Sequence, residues 1–211
     1  VQTGLAALQK PRRVGLAALI HECGLDKQEI TASTVGYILA PRVNAAGRMG
    51  QVELAVELFL TDNPARAAKL AQNLCHLNRQ RQSVESGIYN EAVQMLPQGK
   101  TPPAIVLAAE NWHQGVVGIV ASRLAEEYSC PTFLICLDGE HGKASSRSYG
   151  GFNLFAGLSE VAHLLENYGG HELAAGFTIA RNNIDAFRTE ISALSQKFAG
   201  SGQAHQALEI D

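Results

Sequence analysis

One long amphipathic segment constrains the fold of this chain more than any other feature. Between Pro64 and Leu96 the sequence has no further proline and a single glycine. Such a segment would form one helix about 50 Å long at about 1.5 Å per residue, which predicts a bridge between two bodies. Arg81 and Glu91 are polar interruptions of an apolar stripe along this segment. The apolar side chains of the stripe recur at helical steps and are Ala67, Leu70, Leu74, Leu77, Val84, Ile88 and Met95.

Capping and breaking signals divide the rest of the chain. Asp62-Asn63-Pro64 is a strong helix start, and the proline-rich stretch at 97–103 is the clearest boundary. Residues 1–40 are predicted to form short helices, with Thr34 capping a turn that Pro41 interrupts. The predicted parts are a helical segment at 1–61, the connecting helix at 62–97, a second domain at 98–200 and a linker at 201–211.

The second domain has the alternating rhythm of an α/β fold. Buried-type strands are predicted at 104–109, 131–137, 142–148 and 173–179, and helices at 115–128, 153–167 and 184–198. Strands that alternate with helices over about 100 residues indicate one mostly covered sheet. The tail sequence ALEID is predicted to begin a further strand.

Composition excludes several classes of protein. The formal net charge of −3 argues against a wholly basic nucleic-acid binder but leaves room for a local basic patch. The sequence has no run of about 18 apolar residues, which is the length that would predict a membrane span, so no membrane partner is expected. The four cysteines form no close pair of the metal-binding or redox kind, which predicts reduced thiols and a cytoplasmic location.

Two short elements of the second domain are the main candidates for chemistry. Ser145, Ser146, Arg147 and Ser148 place three hydroxyls around an arginine fork, which suits a phosphate group. Gly169-Gly170-His171 follows the predicted helix at 153–167, where two glycines allow close backbone approach to a ligand. The two elements are expected to face each other across that helix. Each alone is more often a solvated strand end or a helix stop.

Two further clusters carry anion-binding residue types. Arg42, Asn44 and Arg48 lie among small residues, where the arginines either reach an anion or pair with the nearby glutamates Glu53 and Glu57.

The other cluster is a loop that leads into a glycine-opened helix. Its Trp112 either stacks on a base or covers the edge of the sheet, and His113 lies beside helix-start N–H groups that favour anions.

Four ordered motifs together resemble RecJ-type single-strand-specific DNA exonucleases of the DHH phosphoesterase superfamily. They are PRVNAAGRMG at 41–50, WHQGVVGIVASRL at 112–124, SSRS at 145–148 and YGGHELAAGF at 168–177. The resemblance runs over nearly the whole chain. It implies the end of a DHH catalytic domain, a connecting helix and a DHHA1-type α/β domain with a mixed sheet flanked by helices.

The resemblance also implies a function and roles for the candidates. The full-length enzyme is expected to bind Mn²⁺ or Mg²⁺ and to degrade single-stranded DNA from its 5′ end in repair and recombination, with DNA repair proteins as further partners. Ser145 and Arg147 would bind the terminal phosphate, Arg42 and Arg48 would contact the backbone, and Gly169, Gly170 and His171 would face the active site. His171 would then donate a hydrogen bond or protonate the leaving oxygen.

One departure from the family pattern limits these expectations. The chain has no Asp-His-His motif, and its five aspartates are scattered, whereas a two-metal site needs clustered carboxylates. We therefore expect no metal in this chain, and no hydrolysis by it alone. The alternatives are a DHH/DHHA1 phosphodiesterase for short oligonucleotides or cyclic dinucleotides, and a nucleic-acid-binding module without activity.

Overall fold

The chain divides into two compact units. In the computed structural model, which describes residues 1–97, 99 and 101–200, the first unit is Val1–Ser83 and the second begins at Val84. The predicted linker at 201–211, with its expected strand, lies outside the described residues. Within the described ranges, no helix combines the length and apolar character needed to cross a membrane.

The first unit is helical. Its helices are α1 (Gln2–Leu8), α2 (Val14–Glu22), α3 (Ala32–Thr34), α4 (Ala40–Arg48), α5 (Val52–Leu60) and the first part of α6 (Pro64–Met95). Helices α2 and α5 approach closely at Gly15, where a Cβ atom would lie 1.6 Å from the Leu58 carbonyl oxygen. Fully buried leucines, among them Leu19, Leu70 and Leu74, fill the space between the helices.

The predicted long helix is confirmed as α6, and its buried residues fall into two groups. Ala67 to Asn78 contribute a buried stripe within the first unit, and Ile88 and Ala92 are buried within the second. None of residues 79–87 is buried. The division between the units therefore falls inside the helix rather than at either of its ends.

Pro41 does not interrupt its helix, contrary to the sequence prediction. The cap is Thr31, whose hydroxyl accepts a hydrogen bond from Thr34 N–H at 3.2 Å. A π-helical turn at Val35–Leu39 follows and leads directly into α4, with Pro41 in its first turn. The wider hydrogen-bond spacing of the π-helical turn just before Pro41 relieves the usual clash between a proline ring and the carbonyl oxygen four residues earlier.

The second unit contains a five-stranded mixed sheet. The strands are β1 (Ile105–Ala109), β2 (Thr132–Asp138), β3 (His141–Arg147), β4 (Leu165–Gly170) and β5 (Ala174–Ala180), in the order β1-β2-β3-β5-β4. Strands β1 and β2 are parallel and joined by α7 (Gln114–Tyr128); all other neighbours are antiparallel. The predicted α/β class is confirmed.

Helices lie on both faces of this sheet. Helix α7 packs on β2 and β3. On the other face, α8 (Leu154–Glu160) and α9 (Ile184–Gly200) cover an aromatic core in which the rings of Phe133 and Phe187 meet edge to face, 5.5 Å apart. Because α7 does not extend over β5 and β4, part of its face of the sheet stays open.

The helix predicted at 153–167 is wrong in its second half. Helix α8 ends at Glu160, a 3₁₀ turn follows at Ala162–Leu164, and the chain then becomes β4. Leu165 packs against the core from a strand. Its helical spacing from Leu158 was therefore uninformative, since the same core accepts an apolar side chain from either kind of element. Gly169 and Gly170 accordingly lie in a strand instead of following a helix.

Candidate nucleic-acid interface

The strand register brings the two main candidate elements together. Ser145 on β3 is opposite Gly176 on β5, and Gly176 is opposite Gly169 on β4. Directly paired residues share a face of a sheet, so these three residues form one row about 10 Å long. We call this row the glycine lane. The Gly-Gly element therefore faces the serine-arginine element across β5 and not across a helix.

The glycine lane is nearly free of side chains. A Cβ atom placed on Gly169 would meet no atom within 4 Å, and Gly169 is exposed. Gly176 and Ser145 are half-buried, so that the Ser145 hydroxyl is the lane's only side-chain polar group. A bare, open strip of sheet allows a ligand to approach the backbone closely.

Arg147 lies one row further along, on the same face of β3. Its pairing partners are Thr132 on β2 and Ala174 on β5. The guanidinium lies against α7 at Gly118, where a Cβ atom would be 3.0 Å from Nη2, and its Nη1 donates a hydrogen bond to the Ser146 carbonyl oxygen at 2.8 Å. These contacts hold a half-buried cation beside the lane, as anion recognition requires.

The β4–β5 hairpin places the backbone of His171 across Ala174 from that of Arg147. The His171 N–H donates to the Ala174 carbonyl oxygen at 2.8 Å, so that Ala174 has Arg147 on one side and His171 on the other. Gly170, just before it, has φ +143°, and a Cβ there would be 2.5 Å from the Ala174 oxygen. His171 is exposed, and within the described residues its ring makes no hydrogen bond.

Two of the predicted serines do not contribute a donor to this face. Ser146 alternates to the opposite face, where it is 0% exposed and its Oγ has no hydrogen-bond partner among the described atoms. The Ser148 hydroxyl donates to the Phe152 carbonyl oxygen at 2.6 Å and so stabilises the turn after β3. Strand alternation leaves Ser145 and Arg147 as the pair on the open face.

Trp112 is a structural residue, so its predicted stacking on a base is not supported. It is 5% exposed, and its Nε1 donates to Glu91 Oε2 at 2.8 Å, which ties the end of α6 to the β1–α7 loop.

His113 caps α7 by accepting a hydrogen bond on Nδ1 from Gly115 N–H at 3.1 Å. One of the helix-start N–H groups expected to bind an anion is therefore already satisfied within the protein.

The first-unit candidates lie on α4. Asn44 and Arg48 are exposed and four residues apart, which places them on one helical face. Arg42 is half-buried, and its Nη1 donates to the Ile38 carbonyl oxygen at 2.5 Å. Glu57 pairs with Arg66, which lowers the pKa of that carboxyl group, so it is not the partner of Arg42.

Two residues that position this site were not singled out as binding residues from the sequence. Gly118 makes room for Arg147, and Gly176 forms the middle of the lane. The signal for Gly176 was a glycine inside a strand pattern, which marks close approach of a backbone or ligand. No pattern in α7 points to Arg147, because that contact joins distant segments.

The described residues contain no metal-binding cluster. Among residues 1–97, 99 and 101–200, no three His, Cys, Asp or Glu side chains are grouped so that they could hold a metal ion. Cys130 and Cys136 are buried, and burial raises the pKa of each thiol to about 11, which keeps both protonated and poorly nucleophilic.

Comparison with known proteins identifies the relatives of this chain. Residues 101–197 match the model of the DHHA1 domain. The chain is 40% identical to the single-stranded-DNA-specific exonuclease RecJ of Bacillus subtilis over 99% of its length, and 36% identical to RecJ of Thermus thermophilus over 94%. The chain is a RecJ homologue with a DHHA1 domain. The predicted resemblance is thereby confirmed.

Solved RecJ structures have the same fold. RecJ of T. thermophilus in complex with Mg²⁺ superposes with a TM-score of 0.85 at 36% identity, covering 94% of this chain and 31% of that one. The chain spans 27% of the B. subtilis RecJ and 28% of the T. thermophilus RecJ sequence. The glycine lane, Arg147 and the hairpin with His171 all lie in the DHHA1 domain.

Proposed function

We propose that this RecJ homologue supplies the substrate-binding part of a metal-dependent 5′-to-3′ single-stranded DNA exonuclease that acts in repair and recombination. The supporting observation is the position of Arg147, held against Gly118 beside a side-chain-free lane. A planar guanidinium with a neighbouring serine hydroxyl suits a terminal phosphate, which carries more charge and more acceptor oxygens than an internal one.

In this proposal the neighbours of Arg147 have separate tasks. Ser145 donates to a phosphate oxygen, and Gly169 and Gly170 let the first nucleotide approach the sheet. His171, on the other side of Ala174 from Arg147, assists catalysis by donating a hydrogen bond to a phosphate oxygen or by protonating the leaving oxygen. On the first unit, Arg42, Asn44 and Arg48 contact the backbone of the strand.

The metals belong to another part of the longer protein. T. thermophilus RecJ has been solved with Mg²⁺ and with Mn²⁺, whereas the residues described here offer no group of ligands for either. When bound, such metals neutralise charge on the phosphate that is attacked. We therefore propose that this chain alone binds single strands and hydrolyses nothing, and that it works in the cytoplasm.

The test is binding of a fluorescent single-stranded oligonucleotide with a 5′-phosphate or a 5′-hydroxyl, with Mn²⁺ present to detect cleavage. We expect the phosphate to increase affinity, Arg147→Ala to abolish that increase, and Arg12→Ala, at an exposed arginine of the first unit, to preserve it. Loss of one phosphate contact should also reduce the salt dependence by about one unit of slope. A phosphate preference that survives Arg147→Ala would refute the site.

A second measurement distinguishes the proposed exonuclease function from the alternative functions. A length series of oligonucleotides on the longer protein should show processing of long strands. Preference for the shortest oligonucleotides would instead indicate a phosphodiesterase of short products, and metal-dependent cleavage by this chain alone would show that a catalytic site lies within it.

A further inference from the structure

Lys143 lies on the same open face as Arg147. The two residues belong to β3 and are four positions apart, so strand alternation puts both on the face of the glycine lane. At about 3.4 Å per residue their Cα atoms are about 14 Å apart. Ser145 lies midway between them, and the lane runs from it toward the edge of the sheet.

On its β5 and β4 side, the strip between these two cations carries no large side chain at the level of Ser145. On β3 only Ser145 intervenes on this face, and its neighbours on β5 and β4 are the glycines of the lane. A Cβ on Gly169 would meet nothing within 4 Å. The side of the strip that faces β5 and β4 therefore leaves room for a polymer backbone between Arg147 and Lys143, which a row of larger side chains would prevent.

The charge around Lys143 is available for a ligand. Lys143 is exposed, its cross-strand neighbours Cys136 and Thr178 are uncharged, and its ammonium group has neither an ion pair nor a hydrogen bond among the described residues. It also borders a cavity of about 600 Å³, within the range of sites that take small organic groups.

Acidic groups limit the strip just beyond Lys143. Asp138 is opposite His141 in the next row of this face, and Glu166 accepts a hydrogen bond from His141 Nδ1 at 2.6 Å when that nitrogen is protonated. Both carboxyl groups line the same cavity as Lys143. Negative charge there repels a phosphate, so the attractive part of the surface ends at Lys143.

We propose that Lys143 is a second phosphate-binding residue, which contacts an internal phosphate of the single strand whose 5′-phosphate is at Arg147. This inference rests on the function proposed above. A stacked strand rises about 3.4 Å per nucleotide, so the 14 Å between the residues corresponds to about four nucleotides, and to fewer in a stretched strand. Lys143 therefore contacts one of the first four internal phosphates.

The experiment is a charge scan of the oligonucleotide. Each of the first four internal linkages is replaced in turn by a neutral methylphosphonate, and binding is measured for the unmodified chain and for Lys143→Ala. We expect Lys143→Ala to weaken binding about three- to fivefold at low salt. We also expect Lys143→Ala to cause no further loss on the oligonucleotide that is neutral at the contacted linkage, because the substitution and the neutral linkage remove the same interaction.

Three controls keep this result specific. Lys197→Ala removes the same charge from α9, on the opposite face of the sheet, and should leave binding unchanged. Lys143→Arg should retain most of the affinity, and thermal denaturation should show that all three variants are folded. A Lys143→Ala loss that is equal on every modified oligonucleotide, or no loss at all, would overturn the inference.

The 5′-phosphate preference, measured in parallel with Arg147→Ala, separates the two proposals. If that preference depends on Arg147 but Lys143 couples to no linkage, only the second phosphate site fails. If Lys143 couples to one linkage while Arg147 is irrelevant to the 5′-phosphate, the proposed function fails at its terminal site, and the register of the strand assigned here is overturned as well.

Discussion

The guanidinium of Arg147 lies so close to Gly118 that a Cβ atom there would be 3.0 Å from Nη2. Gly118 is inside α7, where alanine is favoured over glycine by about 1 kcal/mol. The atom in the way is the end of a flexible side chain, which can move at little cost. This glycine therefore lies inside a helix at the position where it makes room for Arg147, the residue predicted to bind the phosphate.

Gly118→Ala should consequently separate stability from binding. We expect an unchanged or higher urea midpoint, and a severalfold loss of the 5′-phosphate preference because Arg147 is displaced. Gly87→Ala is the matched control, since that glycine is exposed in α6 and a Cβ there would meet nothing. It should stabilise by about 1 kcal/mol and leave binding unchanged. Equal binding by both variants would show that the Gly118 contact does not position Arg147.

The two adjacent glycines of β4 should respond in opposite ways. Gly170 has φ +143°, and a Cβ there would be 2.5 Å from backbone atoms of β5, so Gly170→Ala should cost about 1–3 kcal/mol of stability. Gly169→Ala should leave stability nearly unchanged, because the site is open, and should weaken DNA binding by adding a methyl group to the lane. Denaturation and binding of both variants test this, and unimpaired binding by a folded Gly169→Ala would exclude the lane as the contact surface.

Ser145 and Ser146 form a second matched pair on opposite faces of one strand. Ser146 Oγ is fully buried and has no hydrogen-bond partner among the described atoms, so removing this hydroxyl sacrifices no hydrogen bond seen there, and Ser146→Ala should be neutral or stabilising. Ser145→Ala should leave stability unchanged and weaken binding of a 5′-phosphorylated strand about two- to tenfold. Weaker binding by Ser146→Ala at unchanged stability would contradict the assignment of faces.

Much of this architecture could be predicted from the sequence because local signals agreed with one another. The long helix followed from a proline start and an uninterrupted apolar stripe, and the strands β1 and β2 from short buried-type runs between breakers. Strand β4 was missed because Leu165 continues the helical spacing of α8 by coincidence, and no local sequence signal marks the start of the strand.

Prediction of the site from the sequence was also limited, because the site depends on contacts between distant segments. The serine-arginine and Gly-Gly-His elements were found from their residue types, but the sequence could not show that β5 lies between them. Nor could it distinguish Ser145 from Ser146, because the face of a strand depends on which side the helices cover. The sequence also left two roles open for Trp112, because its hydrogen-bond partner Glu91 is on another element.

Trp112→Phe tests the structural role of that side chain. The substitution removes the Nε1 donor to Glu91, a hydrogen bond to a carboxylate, so stability should fall by about 2 kcal/mol. Glu91→Gln retains an acceptor and should cost less. Binding of single-stranded DNA should be unchanged in both and also in Trp112→Leu, which removes the aromatic ring, whereas loss of a stacking residue would cost about 1–3 kcal/mol per base. A clear loss of affinity by folded Trp112→Leu, but not by Trp112→Phe, would restore the stacking interpretation.

The buried thiols should make stability fall at alkaline pH. Burial raises the pKa of Cys136 to about 11, against about 8.5 for an unfolded cysteine. Below pH 8 the thiol is protonated in both states; between about 8.5 and 11 only the unfolded state ionises, which favours unfolding. Urea midpoints at pH 7.5 and 10 should therefore differ less in Cys136→Ala than in the unmodified chain, which cancels the titration of other groups. Rapid alkylation of Cys136 by iodoacetamide at pH 8 in the folded chain would contradict this, because the thiolate is the reactive form.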